Sequence, residues 1–123
     1  MTAVPVTLVV VDDDADGADM MANLLRLSGY DVHLAYDALS GESLVERVRP
    51  LGALIDLRMP GGIDGCELIQ RLRSRYGDDL VLIAITGADS GDPRVAAAFA
   101  CVDHHLCKPI DAAVLAKVLP PLT

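Results

Sequence analysis

Leu80-Val81-Leu82-Ile83-Ala84-Ile85-Thr86 runs six apolar residues without a break before its threonine. A surface helix or a strand with one wet face would interleave polar residues. A strand covered on both faces does not, and strands of parallel sheets are covered on both. Its neighbours repeat the theme. Before it, from Asp64, Leu68, Ile69, Leu72 and Tyr76 recur at spacings of three and four, an amphipathic helix ending near Gly77. After it, Asp92 and Pro93 open a small-residue helix over 93–100, a capping carboxylate followed by proline in the first turn. Residues 103–107 form the faintest strand. Asp111 caps a last helix with Val114, Leu115, Val118 and Leu119 facing inward, ended by Pro120 and Pro121.

The N-terminal half reads the same way. Thr7–Val11 is a strand, followed by a helix with Ala18, Met21, Leu25 and Ser28 on one face, stopped by Gly29. Residues 32–35 form a second strand; Leu44, Val45 and Val48 mark a short helix closed by Pro50. Residues 53–56 form a third strand, with Gly61 and Gly62 soon after it. The order is βα five times over. Crossovers this short favour an α/β, doubly wound layer structure with a parallel sheet and helices on both sides.

Composition bounds the possibilities. The chain has 123 residues, room for one domain, expected to span 1–123. Hydrophobic residues make up 52% and, with one Phe, three Tyr and no Trp, the core is aliphatic. Ten basic residues against 18 acidic ones leave a net charge of −8, contrary to the basic footprint of a nucleic-acid binder. No apolar run reaches the roughly 20 residues of a membrane helix. No basic residue precedes the first apolar run, so a secretory signal is not expected. Cys66, Cys101 and Cys107 form no CxxC pair, which suits a reducing, cytoplasmic setting.

In open parallel sheets, ligands bind beyond the carboxyl ends of the strands. Here those ends carry chemistry: Asp12, Asp13 and Asp14 after the first strand, Asp56 ending the third, Thr86 and Gly87 at the fourth, Lys108 and Pro109 at the fifth. Crowded carboxylates repel one another unless a cation compensates, and oxygen ligands without His or Cys suit Mg²⁺ or Mn²⁺. Asp56, alone at a strand end, is placed as a nucleophile. A metal beside it can neutralise phosphoryl oxygens, while the Lys108 ammonium, the Thr86 hydroxyl and the Gly87 N–H hold the rest. The set reads as a phosphoryl-acceptor site with an aspartyl phosphate as product.

The segments VVVDDD, LIDLRMPGGIDG, IAITG and HLCKPI carry Asp13, Asp56, Thr86 and Lys108 at successive spacings of 43, 30 and 22 residues. In these the chain resembles the receiver domain of bacterial two-component response regulators. The resemblance implies a flavodoxin-like (βα)5 fold with strand order 2-1-3-4-5. It implies that Asp56 accepts phosphate from a histidine kinase or histidine phosphotransfer protein, and that the domain catalyses its own phosphorylation and dephosphorylation rather than turning over a substrate. Asp13, Asp56 and the backbone carbonyl of Arg58 would bind Mg²⁺ directly, with Asp12 acting through water. Thr86, Lys108 and the Gly87 backbone would contact the phosphoryl group, the Lys108–Pro109 bond being usually cis in the family. Thr86 and His105 would form the switch, and Arg58 and Ala88 would flank the route of hydrolytic water. Signal output would pass to a downstream effector or to a sensor kinase chain of which this is a piece, with no direct contact to nucleic acid or membrane. Two features depart from the usual pattern: the loop after Asp56 is one residue longer, and His105 stands where Tyr or Phe is common. DHHLCKP is closest to receivers of hybrid sensor kinases.

Other readings of these residues exist. Asp12, Asp14, Asp16 and Gly17 imitate a calcium loop, but Asn23 stands where its bidentate Glu is needed. Asp12 and Asp14 as DxD resemble the nucleophile motif of haloacid-dehalogenase-type phosphatases, which leaves Asp56 without a role. A degenerate receiver that only binds protein is a third. Cys101, His104, His105 and Cys107 cannot converge on one tetrahedral ion, because strand alternation sends neighbours to opposite faces. His33 reads as structural. Asp14 and Asp16 suit a helix start as well as a metal.

Overall fold

The computed structural model describes residues 6–59, 64–87, 93–108 and 110–120. Five strands, β1 (Thr7–Val11), β2 (Asp31–Ala35), β3 (Gly52–Asp56), β4 (Val81–Thr86) and β5 (His104–Cys107), alternate with five helices. The helices are α1 (Ala15–Leu27), α2 (Ala38–Val48), α3 (Gly65–Tyr76), α4 (Pro93–Phe99) and α5 (Ala112–Val118). The sheet order is β2-β1-β3-β4-β5, and every pairing is parallel. This is the doubly wound architecture and strand order expected.

Strand alternation divides the core in two. Val9, Val11, Ala53, Ile55, Leu82 and Ala84 face α2, α3 and α4, where Leu44, Val45, Leu68, Ile69, Leu72, Val95 and Ala98 meet them. Leu8, Val10, Leu54, Ile83 and Ile85 face the other way, against Ala22 and Leu25 of α1 and Leu115 of α5. Both faces of β1, β3 and β4 are therefore dry, which is why their sequences carry unbroken apolar runs.

Three helix details differ from expectation. On α1 the buried line is Ala18, Ala22 and Leu25, with Met21 half-buried. Ser28 lies past the helix end, exposed, its hydroxyl donating to Leu24 O at 3.2 Å. α2 begins well before Leu44, at Ala38, because the Asp37 carboxylate accepts the Ser40 N–H at 2.7 Å and caps it. Its first half hides from a hydropathy pattern because it packs through small residues: a Cβ on Gly41 would lie 2.7 Å from Val11 Cγ2. Val114 is 44% exposed, since the inward line of α5 passes through Leu115 and on to the half-buried Val118 and Leu119. The expectations placed on Gly61, Gly62, Ala88, Asp92, Pro109 and Pro121 lie outside the described residues.

Candidate functional site

Parallel strands bring their carboxyl ends to one rim, and the site is built there. Asp12 continues the β1–β2 ladder by one bond, its N–H donating to Ala35 O at 3.1 Å. Its Oδ1 accepts the Asp14 N–H at 2.9 Å, which turns the chain into α1. Asp14 occupies the cap position of that helix without a side-chain capping bond. The last residue of β3, Asp56, is only 4% exposed, and both its oxygens are engaged. Oδ1 accepts the Arg58 N–H at 3.0 Å, and Oδ2 accepts from Lys108 Nζ at 2.8 Å. The same ammonium lies 3.7 Å from Asp12 Oδ2. Backbone bonds hold the rim together: Leu57 N to Ile85 O at 3.0 Å, Lys108 N to Thr86 O at 2.8 Å. Thr86 is buried, and its hydroxyl donates to the Gly87 carbonyl at 3.0 Å. The space where a Gly87 side chain would stand is open.

Asp12, Asp13 and Asp56 each present a carboxylate oxygen, and these lie within 4.8 Å of one another. Asp12 and Asp56 are buried and Asp13 is exposed, so the nest has a dry floor and a wet mouth. Three carboxylates with no soft ligand suit a hard divalent cation. The electrostatics agree. Burial pushes the Asp12 carboxyl from 3.8 up to about 6; the neighbouring Asp56 adds to this, while the Asp14 N–H and Lys108 oppose it. For Lys108, burial alone would favour the neutral amine, but the hydrogen bond and charge of Asp56, with Asp12 and Asp14, outweigh it and raise its pKa.

Asp12 predicts a pH effect. Between about pH 4 and 6 folded Asp12 keeps a proton that the unfolded chain releases, so its contribution to stability falls as pH rises through that window. The loss reaches on the order of 2–3 kcal/mol by neutral pH. Urea midpoints of metal-free protein should therefore gain, on Asp12→Asn, an advantage over wild type that grows from pH 4 to 7. An advantage independent of pH would contradict the shift.

The sequence-predicted residues Asp12, Asp13, Asp56, Thr86, Gly87 and Lys108 all reach this rim. Arg58 contributes an N–H to Asp56, a role its sequence neighbourhood did not show; the carbonyl was the expected ligand. His105 stands apart on β5, exposed and stacked on Phe99. The calcium-loop reading fails, because Asp16, Gly17 and Asn23 lie within helix α1. Gly65, not singled out by sequence, lets α3 start directly against the Asp56–Leu57 peptide.

Residues 8–120 match the family model of the response regulator receiver domain. The chain belongs to that family. The receiver domain is 39% identical over 105 residues to response regulator MprA of Mycobacterium sp. (strain KMS), covering 85% of this chain and 45% of that protein. It is 37% identical over 102 residues to MprA of Mycobacterium avium (strain 104), covering 83% and 44%. The receiver domain thus spans less than half the length of these curated relatives. Among solved structures it is similar to a putative response regulator from Chloroflexus aurantiacus J-10-fl, with 30% identity, TM-score 0.80 and 93% of each chain covered. A CheY-like receiver domain protein from Methanospirillum hungatei JF-1 gives 26% identity and TM-score 0.83, covering 93% and 90%. The receiver domain is a phosphorylation-switched signalling module of two-component systems, not a metabolic enzyme. Among the described residues no helix is long and apolar enough to cross a membrane.

Proposed function

We propose that Asp56 is the phosphoacceptor, taking its phosphoryl group from the phosphohistidine of a histidine kinase or histidine phosphotransfer protein in the cytoplasm. An Asp56 carboxylate oxygen forms the new bond to phosphorus as the phosphorus–nitrogen bond breaks, its electron pair leaving with the imidazole. Asp13, Asp56 and the Arg58 carbonyl would hold Mg²⁺ (or Mn²⁺), with Asp12 acting through water. The ion would supply charge neutralisation at the phosphoryl oxygens. Lys108, already at Asp56, keeps one cation on the transferred group, and the Gly87 N–H and the Thr86 hydroxyl supply donors. The phosphoryl group adds roughly two negative charges. Thr86 then gives up its bond to the Gly87 carbonyl and turns to the new anion; His105 follows, and the surface of α4, β5 and α5 changes. We place the domain across 1–123, its output passing to a downstream effector or to its own sensor kinase chain.

The observation that carries this reading is Asp56 itself: buried, held at one oxygen by Lys108, and close to two more carboxylates. Incubation with acetyl phosphate and Mg²⁺ should add the mass of one phosphoryl group, lost on Asp56→Asn and on chelation. A gain that survives Asp56→Asn but not Asp12→Asn would point to the phosphatase-like nucleophile. No gain in wild type would leave a protein-binding module.

A further inference from the structure

His105 is tied down in this structure. Its ring lies on that of Phe99, centroids 4.5 Å apart and planes 21° from parallel, the one ring–ring stack among the described residues. Phe99 ends α4, is half-buried, and packs against the core cluster between the sheet and α2, α3 and α4. β5 itself buries only Leu106, on the opposite face. The stack joins the exposed His105 side of β5 to the end of α4.

The turn between the two rings is anchored independently. Arg73 of α3 donates to Cys101 O at 2.6 Å and to Asp103 Oδ2 at 2.8 Å. Asp103 is also bonded twice to Leu82 of β4, through its N–H at 2.9 Å and its carboxylate at 2.8 Å. With the turn held, the motion open to His105 is rotation about its own side-chain bonds, which parts it from Phe99. His105 pairs with Ala84, two residues before the Thr86–Cys107 pair. Ala84 and Thr86 point to the same face of β4, so the histidine stands on the Thr86 side of the sheet.

We infer that Phe99 is the latch of the switch. Its stack holds His105 outward in the unphosphorylated form, and the phosphoryl group at Asp56 must break it. This inference rests on the assignment of Asp56, Thr86 and His105 made above. A contact present in only one of two states sets their ratio, and by linkage it opposes whatever binds the other. Aromatic pairs of this kind are worth enough to shift such a ratio by about 2- to 10-fold.

The test is a titration with beryllofluoride and Mg²⁺ followed by NMR. Phe99→Leu, or Phe99→Met should the leucine variant fold poorly, is expected to bind about 2- to 10-fold more tightly than wild type. Phe99→Tyr, which keeps the stack, should match wild type, and in a His105→Ala background Phe99→Leu should have no further effect. The His105 ring resonances should move in wild type on saturation. A folded Phe99→Leu protein with unchanged or weaker affinity overturns the latch. Wild type that fails to bind beryllofluoride, or binds it equally with Asp56→Asn, overturns the phosphoacceptor assignment instead.

Discussion

Gly65→Ala is expected to remove about 3 kcal/mol of stability, and to slow phosphorylation of Asp56 by roughly 10- to 100-fold. A Cβ at this position would lie 2.0 Å from the Asp56 carbonyl oxygen, 2.7 Å from Leu57 Cα and 2.8 Å from Asp56 C. All three are backbone atoms, so no side-chain rotation relieves the clash. Either α3 moves off the sheet, opening the core around Leu68, Ile69 and Leu72, or the Asp56–Leu57 peptide tilts. The tilt disturbs the Leu57 N–Ile85 O bond and the Arg58 N–Asp56 Oδ1 bond, which hold the acceptor in place. Gly77→Ala is the matched control. Its Cβ meets nothing within 4 Å, and its cost comes from the positive φ of 56° alone. That variant should lose about 1–2 kcal/mol and phosphorylate at the wild-type rate. Urea unfolding and the time course of mass gain with acetyl phosphate report both quantities. Equal behaviour of the two variants would show that the close approach of α3 does not matter.

Arg73→Ala should cost about 3 kcal/mol, although the residue lies at the opposite end of the strands from the acid nest. Its guanidinium donates to four acceptors: Cys101 O at 2.6 Å, Gly77 O at 2.6 Å, Leu80 O at 3.0 Å and Asp103 Oδ2 at 2.8 Å. One planar group thus ties the end of α3, the start of β4 and the turn into β5. Truncation leaves three carbonyls and a carboxylate to find water in a partly closed space. Lysine carries the charge but not the fork, so Arg73→Lys should recover less than half of the loss. Asp103 adds a pH signature. Burial works against its charge, but the Leu82 N–H and Arg73 outweigh it and hold its pKa below the ordinary 3.8. The stability it contributes is present above pH 4 and is lost as pH falls through the lowered value. The penalty of Arg73→Ala, measured by urea unfolding, should accordingly shrink below pH 4. A penalty that stays constant there would place the effect in packing rather than in the ion pair.

Some features were legible because they are written in adjacent residues. The Thr7–Val11 strand is delimited in the sequence itself, where an apolar run meets three aspartates. Asp56, Thr86 and Lys108 could be picked out because each closes or follows such a run. Phe99 and Gly65 carried no comparable mark: a lone aromatic after alanines and a glycine after a capping aspartate look like ordinary core and ordinary helix start. The first half of α2 carries no such mark either, because the side chains it buries, Ala38 and Gly41, are too small to stand out in a hydropathy pattern.

The amino-acid order by itself determined the alternation of strand and helix, the burial of both sheet faces and the identity of the acidic and basic groups at the strand ends. It could do so because periods of 2 and 3.6 residues are local properties of the backbone. The tertiary structure alone decided that one ammonium bridges Asp12 and Asp56, that α3 touches the acceptor's peptide, that Arg73 binds the β5 turn, and that His105 rests on Phe99. These are distances between parts of the chain brought together only when the sheet closes, and no local period encodes them.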